Sequence, residues 1–190
     1  MAKSVLISIQ PEWCELIASG KKTLEVRKNR PKLETPFKCY IYCTKDGFKS
    51  IFQSKPFLSH NRNICNGKVI GEFTCDRIDC FDVPYPAFQK ELDKHILDES
   101  CCTYYQLHRY AYHDALYGWH ISGLAICDKP KELNEFYKCG TLSADDFVCQ
   151  IYDGNGNPRR SSYASYLSTQ QIRRAPQSWC YVEELKGGAK

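Results

Sequence analysis

Seven segments of the chain have the pattern of apolar and polar positions that is typical of β-strands. In the first segment Val5, Ile7 and Ile9 fall on one face, because successive side chains of a strand point to opposite sides. In other segments a short apolar run is bounded by turn residues, which also favours a strand. The predicted strands cover residues 4–9, 23–28, 37–44, 68–80, 123–128, 147–152 and 179–184.

Three other segments have apolar residues at helical spacing. In the first of them Trp13 is followed three and four residues later by Leu16 and Ile17. Pro11 suits the first turn of a helix, and Gly20 suits the position just after its C-terminal end. The predicted helices cover residues 11–19, 87–99 and 103–120, and a helical turn is expected within 131–138.

These elements predict an α+β fold. Their order favours a mainly antiparallel sheet that closes into a β-barrel and is flanked by helices. Residues 1–185 are expected to form a single domain that includes a polar loop at 45–66 and an extended C-terminal insertion at 140–172. A hairpin-turn signal lies at 153–157 in that insertion, and residues 186–190 are expected to form a flexible tail.

Charge is concentrated in the second predicted strand. Alternation places Thr23, Glu25 and Arg27 on one face and the apolar Leu24 and Val26 on the other. One face can therefore be buried while the other carries chemistry. The carboxylate of that strand is surrounded in the sequence by four cations, which are Lys21, Lys22, Arg27 and Lys28. Such a group is either a salt-bridged surface or a site for an anionic ligand.

The charge distribution points to a polyanionic partner. The 190-residue chain has a formal net charge of +4, whereas residues 21–38 alone hold seven cations and two carboxylates, a local charge of +5. Phosphates attract such a group of lysines and arginines and release counterions on binding, so nucleic acid is the first partner to consider. A solvated basic face is the alternative interpretation.

Twelve cysteines raise the question of disulfides or metal. The chain is large enough to fold without disulfides and opens without a secretory signal pattern, so reduced thiols and a cytoplasmic location are expected. Zinc is the alternative, but no Cys-x-x-Cys pair occurs, and neither a metal nor another cofactor is predicted. No apolar run approaches the length of a membrane span, so no membrane partner is expected.

Two stretches near the start of the chain resemble a known family. The segment Val5-Leu-Ile-Ser-Ile-Gln-Pro-Glu-Trp13, followed by Gly20-Lys-Lys-Thr-Leu-Glu-Val-Arg27, is similar to the ASCH family of the PUA-like superfamily. The family signature Gly-x-Lys-x-x-Glu-x-Arg is present as Gly20, Lys22, Glu25 and Arg27. Two later stretches, Gly67–Phe73 and Pro176–Trp179, are similar to other recurrent parts of the family.

The resemblance implies a PUA-like barrel with a cleft between barrel and helices, used by relatives for RNA or modified nucleosides. One branch of the family consists of amidohydrolases that remove the acetyl group of N4-acetylcytidine with a lysine and a threonine nucleophile. Here the lysine corresponds to Lys22, but Glu25 stands at the position of the nucleophile. A carboxylate does not replace a hydroxyl nucleophile that a lysine activates.

Three functions follow as hypotheses. The first is a module that binds RNA or a modified nucleotide in a basic cleft, with stacking by aromatic side chains. Its predicted binding residues are Lys22, Glu25, Arg27, Lys28, Tyr42, Trp179 and Tyr181. The alternative is a hydrolase that acts on RNA or an N-acylated nucleoside with Lys22 and Glu25 as acid/base pair. The second alternative is a protein-interaction module in which residues 140–172 contact the partner.

Overall fold

A computed structural model describes residues 2–45, 66–84, 92–144, 146–147 and 162–185. Within these ranges the chain forms the predicted α+β fold, with six strands and four helices of defined bounds. The strands are β1 Lys3–Ile9, β2 Leu24–Arg27, β3 Phe37–Cys43, β4 Lys68–Phe81, β5 Leu116–Lys131 and β6 Trp179–Glu183. The helices are α1 Pro11–Ala18, α2 Lys94–Ser100, α3 Tyr104–Ala111 and α4 Tyr163–Gln170.

The six strands form one sheet in the order β2-β5-β4-β3-β1-β6. Strands β1 and β3 run parallel, and the crossover that joins them contains α1 and β2. The other four pairings are antiparallel, which confirms the prediction of a mainly antiparallel sheet. Two long strands, β4 and β5, form the centre of one half of the sheet and carry three irregularities in their register.

The prediction of a closed barrel is wrong. In the described residues the end strands β2 and β6 do not pair with each other, so the sheet stays open between them. The gap is instead spanned by a side chain, because Arg27 of β2 donates to the Ser8 carbonyl of β1 and contacts Ser178 just before β6. Side-chain hydrogen bonds therefore take the place of a backbone ladder, and they leave room for a cavity at this opening.

Both faces of the sheet are buried near its centre. Alternate residues of β1 enter different apolar clusters: Val5, Ile7 and Ile9 pack with Trp119 on one face, and Leu6 packs on the other. A third cluster joins β2 to α3 and to the beginning of β5 through Leu24, Val26, Leu107, Ala111 and Leu116. Helix α3 is thus fixed against the strand that carries the charged residues.

The helix predicted at 103–120 is only partly correct. Helix α3 ends at Ala111, and Tyr112 and His113 both have positive φ angles, 47° and 73°, which turn the chain out of the helix. From Leu116 the chain is a strand, so Trp119 is a buried residue of β5 opposite Glu25. The strand predicted at 123–128 is the middle of the same sixteen-residue strand.

The other differences lie in the second half of the chain. The helix predicted at 87–99 is shorter, since α2 covers Lys94–Ser100 and residues 85–91 lie outside the described part. The strand predicted at 147–152 is contradicted at its first residue, because Phe147 donates to the Ser143 carbonyl as in a helical turn. Its remaining residues and the turn at 153–157 lie outside the described part.

The 140–172 segment contacts β6 through Ile172, which packs in the apolar cluster that contains Val182. Helix α4, which was not predicted, holds Tyr163 and Tyr166 against Phe147, and Gln171 pairs with Tyr137. The Tyr166 hydroxyl accepts a hydrogen bond from the Leu142 amide. None of the helices in the described part of the chain is long and apolar enough to cross a membrane.

Candidate nucleic-acid interface

A cavity of about 760 Å³ opens where the sheet fails to close. Its walls come from α1, the end of β1, β2, α3 and the segment before β6. The lining residues that carry hydrogen-bonding or aromatic groups on their side chains are Ser8, Gln10, Trp13, Lys22, Glu25, Arg27, Thr44, Gln106, Arg109, Tyr110, Gln177 and Ser178. The cavity thus combines charged, amide and aromatic groups in one opening.

Strand β2 positions the charged residues of this cavity. Leu24 and Val26 are buried against α3, so alternation directs Glu25 and Arg27 to the other side of the strand. That side is also buried: Glu25 is 6% exposed and Arg27 is 8% exposed. The sequence favoured one apolar face and one accessible face, whereas the structure buries the charges at the base of the cavity.

Glu25 joins two cations in a buried ion cluster. Its Oε1 lies 2.9 Å from Arg27 Nη2, and its Oε2 lies 3.4 Å from Lys22 Nζ. Lys22, just before β2, is 3% exposed. We call these three residues the buried triad. Because both carboxylate oxygens are engaged, Glu25 holds the two cations in fixed positions.

Each cation is also held by contacts outside the triad. Lys22 Nζ donates to the Ser100 carbonyl at 2.7 Å and lies 5.1 Å from the centre of the Trp13 ring. Arg27 Nη2 donates to the Ser8 carbonyl at 2.6 Å, and Nη1 makes a long contact of 3.4 Å with Ser178 Oγ. Arg27 Nε is buried without a hydrogen-bond partner. The guanidinium therefore has donor capacity that its present contacts do not use.

The lining of the cavity is positively charged. Within the described residues it contains three cations, Lys22, Arg27 and Arg109, and a single carboxylate, Glu25, which gives a net charge of +2. Two of the cations lie at its base, where water screens charge poorly, so an anionic group that enters the cavity meets a stronger attraction than it would on the surface.

The thiol in the cavity is not activated. Burial raises the pKa of Cys102, although the nearby ammonium of Lys22 acts in the opposite direction. The thiolate is the nucleophilic form of cysteine, and a raised pKa keeps it scarce near neutral pH. Cys102 is therefore a poor candidate for covalent catalysis.

The structure brings together only part of the predicted binding set. Lys22, Glu25 and Arg27 line the cavity. Lys28 is exposed beside it, with its Nζ 5.6 Å from the centre of the Tyr110 ring. These four residues lie around one opening, as the alternation of β2 and its flanking lysines suggested.

The three predicted aromatic residues lie elsewhere. Tyr42 is 4% exposed, packs in the cluster of Leu6 and Phe136 and does not line the cavity. Trp179 and Tyr181 pack on each other, and neither lines the cavity. Alternation in a strand predicted which residues share a face, but it did not predict which face meets the cavity.

Other lining residues were not predicted. Trp13 was assigned only to the apolar face of α1, yet it is partly exposed and lies over Lys22. Gln106, Arg109 and Tyr110 come from α3 and line the opposite wall. The signal for Gln106 and Arg109 was present in the sequence, because both fall outside the apolar row of that helix.

The described residues offer no alternative metal centre. No group of three or more His, Cys, Asp or Glu side chains within those ranges is arranged to hold a metal ion. The ten cysteines in the described part of the chain are free of disulfides.

Comparisons with known proteins agree with the resemblance seen in the sequence. The model of the ASCH domain family matches residues 7–71, a range that begins in β1 and includes the whole of the buried triad. No curated protein matches the chain. Three crystal structures of the ASCH protein from Zymomonas mobilis are similar to it.

A serine-to-alanine mutant of that protein has a TM-score of 0.52 and 16% identity, and the match covers 95% of this chain and 89% of that one. The ASCH structure without a stated mutation has a TM-score of 0.49 and 17% identity, and the match covers 95% of this chain and 88% of that one. A tyrosine-to-phenylalanine mutant has a TM-score of 0.48 and 19% identity, and the match covers 70% of this chain and 78% of that one. The first of these supports a shared fold.

The ASCH family model thus matches the segment that holds the signature Gly20, Lys22, Glu25 and Arg27, and the chain shares its fold with an ASCH protein. At these levels of identity the similarity extends to the fold and not to a ligand or a reaction.

Proposed function

We propose that this protein binds RNA by taking one unpaired or modified nucleotide into the cavity above the buried triad. The observation that carries the proposal is the placement of two buried cations and one carboxylate at the base of an opening of about 760 Å³. Ligand sites for small molecules measure about 300–1,000 Å³, so a nucleotide is of suitable size.

The groups in the cavity have separate roles in this proposal. Arg27 and Lys22, which both line the cavity, attract a phosphate or a base carbonyl. Glu25 keeps the two cations in place and adds one acceptor near the ligand. The exposed part of the Trp13 ring offers a stacking face, since single-stranded RNA is commonly held by base stacking on aromatic side chains.

Amide groups supply the means to recognise a base. Gln106 of α3 and Gln177 before β6 both line the cavity and carry a donor and an acceptor each. A base has donors and acceptors on its edges, whereas a simple polyanion offers only phosphate or sulfate oxygens. The lining therefore favours a nucleotide over a plain polyanion.

A binding experiment tests this proposal without disturbing the buried triad. Fluorescence anisotropy with a labelled 12-nucleotide RNA gives affinity. The chain has three tryptophans, so quenching of tryptophan fluorescence by nucleoside monophosphates reports entry into the cavity where it is lost in Trp13→Phe. The informative variant is Arg109→Ala, since Arg109 is exposed and lines the cavity. Lys21→Ala is the matched control, because Lys21 is exposed, neighbours Lys22 in sequence and does not line the cavity.

We expect Arg109→Ala to weaken RNA binding several-fold more than Lys21→Ala at the same salt concentration. Both variants remove one positive charge, so only the position of the charge distinguishes them. Equal losses would mean that the RNA responds to overall charge and not to the cavity. Absence of RNA binding at low salt, where electrostatic attraction is strongest, would overturn the proposal altogether.

Hydrolysis of RNA or of an N-acylated nucleoside is a second candidate. One observation favours it: Lys22 Nζ and Glu25 Oε2 lie 3.4 Å apart inside a cavity of ligand size, a distance from which small movements allow proton transfer. Incubation with N4-acetylcytidine and with RNA, followed by chromatography, tests it. Turnover that disappears in Glu25→Gln, at a temperature where the variant is folded, would establish catalysis, and lack of any turnover would remove this candidate.

The role of residues 140–172 as a protein-interaction segment stays a prediction. Residues 148–161, a large part of that segment, lie outside the described part of the chain.

A further inference from the structure

Helix α3 and its C-terminal cap carry an unusual group of exposed aromatic residues. Tyr105 is 78% exposed, Tyr112 is 76% exposed and Tyr110 is 40% exposed. Within the described ranges these are the large hydrophobic side chains that remain most accessible. Single exposed hydrophobic residues are common, but three exposed aromatic rings on one short helix and its cap need an explanation.

Packing does not require these rings. Helix α3 is fixed to β2 and β5 by Leu107 and Ala111, each 2% exposed, on its opposite side. The fold therefore has its anchoring contacts without Tyr105 or Tyr112. The exposed side of the helix can serve another purpose while its position beside the cavity stays fixed.

The rings lie next to the mouth of the cavity. Tyr110 and Arg109 both line it. Tyr105 precedes Arg109 by four residues, which places the two side chains on neighbouring positions of the same helix face. Tyr112 follows Arg109 by three residues, at the end of the helix. The exposed aromatic group therefore continues from the cavity wall onto the outer surface.

Two cations, Lys28 and Arg109, lie among these rings. Lys28 lies over Tyr110 at 5.6 Å from the ring centre, and Arg109 lies between Tyr105 and Tyr112 in the sequence of the helix. Aromatic faces combined with lysine or arginine are the arrangement by which proteins bind single-stranded nucleic acid, because the rings stack on bases while the cations attract phosphates. A neutral apolar partner would not exploit this charge.

The backbone at the helix end has a conformation that usually disfavours such residues. Tyr112 and His113 are consecutive non-glycine residues in the left-handed region, with φ of 47° and 73°. Glycine or asparagine is the usual residue where a helix ends in this way, so a tyrosine costs stability. Tyr112 is 76% exposed, so packing does not compensate the cost of its backbone conformation. A function of its ring would explain why a tyrosine stands there.

We infer that the exposed side of α3 is a stacking platform for nucleotides that flank the one in the cavity, formed by Tyr105, Tyr110 and Tyr112 with Lys28 and Arg109. The ligand is then a single strand of at least three nucleotides, and not a free nucleoside or nucleotide. The inference rests on the proposed function of the cavity and extends it by naming the class of ligand.

Two probes separate the platform from the cavity. A labelled 12-nucleotide single-stranded RNA of mixed sequence reports on both regions, and the four nucleoside monophosphates report on the cavity alone. The test variant is the double change Tyr105→Ala and Tyr112→Ala. The matched control is Tyr105→Phe with Tyr112→Phe, which keeps the rings and removes only the hydroxyl groups.

We expect the alanine variant to lose about 30-fold in affinity for the 12-nucleotide RNA, the effect of two lost stacking contacts at the lower end of measured strengths. Its affinity for monophosphates should stay within about twofold, because stacking on the platform is not used by them. The phenylalanine variant should bind both probes like the unchanged protein. Thermal unfolding of each variant shows that the fold is intact.

The platform is overturned if the alanine variant binds the 12-nucleotide RNA as well as the unchanged protein does while the monophosphates still enter the cavity. In that case the cavity proposal stands, and the tyrosines are better explained as a protein-binding surface. The platform also fails if the unchanged protein binds monophosphates as tightly as the 12-nucleotide RNA. If neither probe binds, the proposed function fails together with the platform.

Discussion

Replacement of Glu25 by glutamine is the sharpest test of the buried triad. The substitution preserves shape and removes the one negative charge between Lys22 and Arg27, which approach its oxygens at 3.4 and 2.9 Å. Both cations stay buried, at 3% and 8% exposure. Glutamine can still accept hydrogen bonds from Lys22 and Arg27, but it no longer neutralises their charges.

The expected loss is large. Removal of one partner from a buried ion pair costs about 3–5 kcal/mol, because an uncompensated charge is left inside the protein. Typical domains have a free energy of unfolding of about 5–15 kcal/mol, so the change is a substantial part of the total. For a domain of this size it corresponds to a fall in Tm of about 6–20 °C.

Urea and thermal unfolding near neutral pH measure this loss. The matched control is Glu72→Gln, the same chemical change in a pair with Lys38 whose side chains are 15% and 25% exposed. Lys38 also contacts Glu184, so it keeps a carboxylate partner in that variant. We expect the control to lose less than about 1 kcal/mol, as is usual for partly exposed pairs.

Anions should partly restore the Glu25→Gln variant. Because Lys22 and Arg27 line an open cavity, phosphate can enter and replace the missing negative charge. Phosphate should therefore raise the Tm of this variant more than that of the unchanged protein, at equal ionic strength. A stability loss no larger than that of Glu72→Gln, or an equal response to phosphate in both proteins, would refute the reasoning about the triad.

Three further changes test the backbone and the core. Tyr112→Gly should raise the free energy of unfolding by about 1 kcal/mol in urea titrations, because glycine adopts the left-handed conformation without strain; no gain would show that the strain is absent. Gly71→Ala should lower it by about 1–3 kcal/mol, since overpacking forces backbone shifts, and a Cβ there would meet the Ala125 carbonyl oxygen at 2.5 Å; a neutral result would contradict this close approach. Burial raises the pKa of Cys75 from 9.0 to about 12, so its contribution to stability is present below pH 9.0 and is lost as the pH rises toward that higher value. Between about pH 8 and 10 the free energy of unfolding should therefore fall less steeply with pH in Cys75→Ala than in the unchanged protein. The same slope in both proteins would contradict the raised pKa of Cys75.

The first third of the fold was predictable because its residues follow simple local rules. The alternation of Val5, Ile7 and Ile9 and the helical spacing of α1 match their elements closely. The signature residues Gly20 to Arg27 also indicated the family and the charged part of the cavity. In these segments local preference and tertiary packing agree.

The region around α3 was not predictable in the same way. The apolar spacing from Tyr104 to Trp119 fits one long helix, but the chain leaves that helix at Tyr112 and His113 without a glycine or proline to signal the end. Leu116 and Trp119 are then buried in a strand, where packing on both sides removes the usual alternation.

The open sheet had no local signal either. Closure depends on whether β2 and β6 meet, which pairs residues far apart in the chain. Strand β2 has four residues and, within the described ranges, pairs only with β5, and Arg27 reaches across the gap in place of a hydrogen-bonded strand. The cavity is a consequence of that arrangement, so residues such as Trp13 and Arg109 could be assigned to it only from the structure.

A crystal structure of the protein with a short single-stranded RNA tests the central claim most directly. We expect one nucleotide in the cavity, with an oxygen of its phosphate or base at hydrogen-bond distance, about 2.7–3.2 Å, from Lys22 or Arg27. An RNA strand bound to another surface, with the cavity above the triad left free of it, would contradict the account.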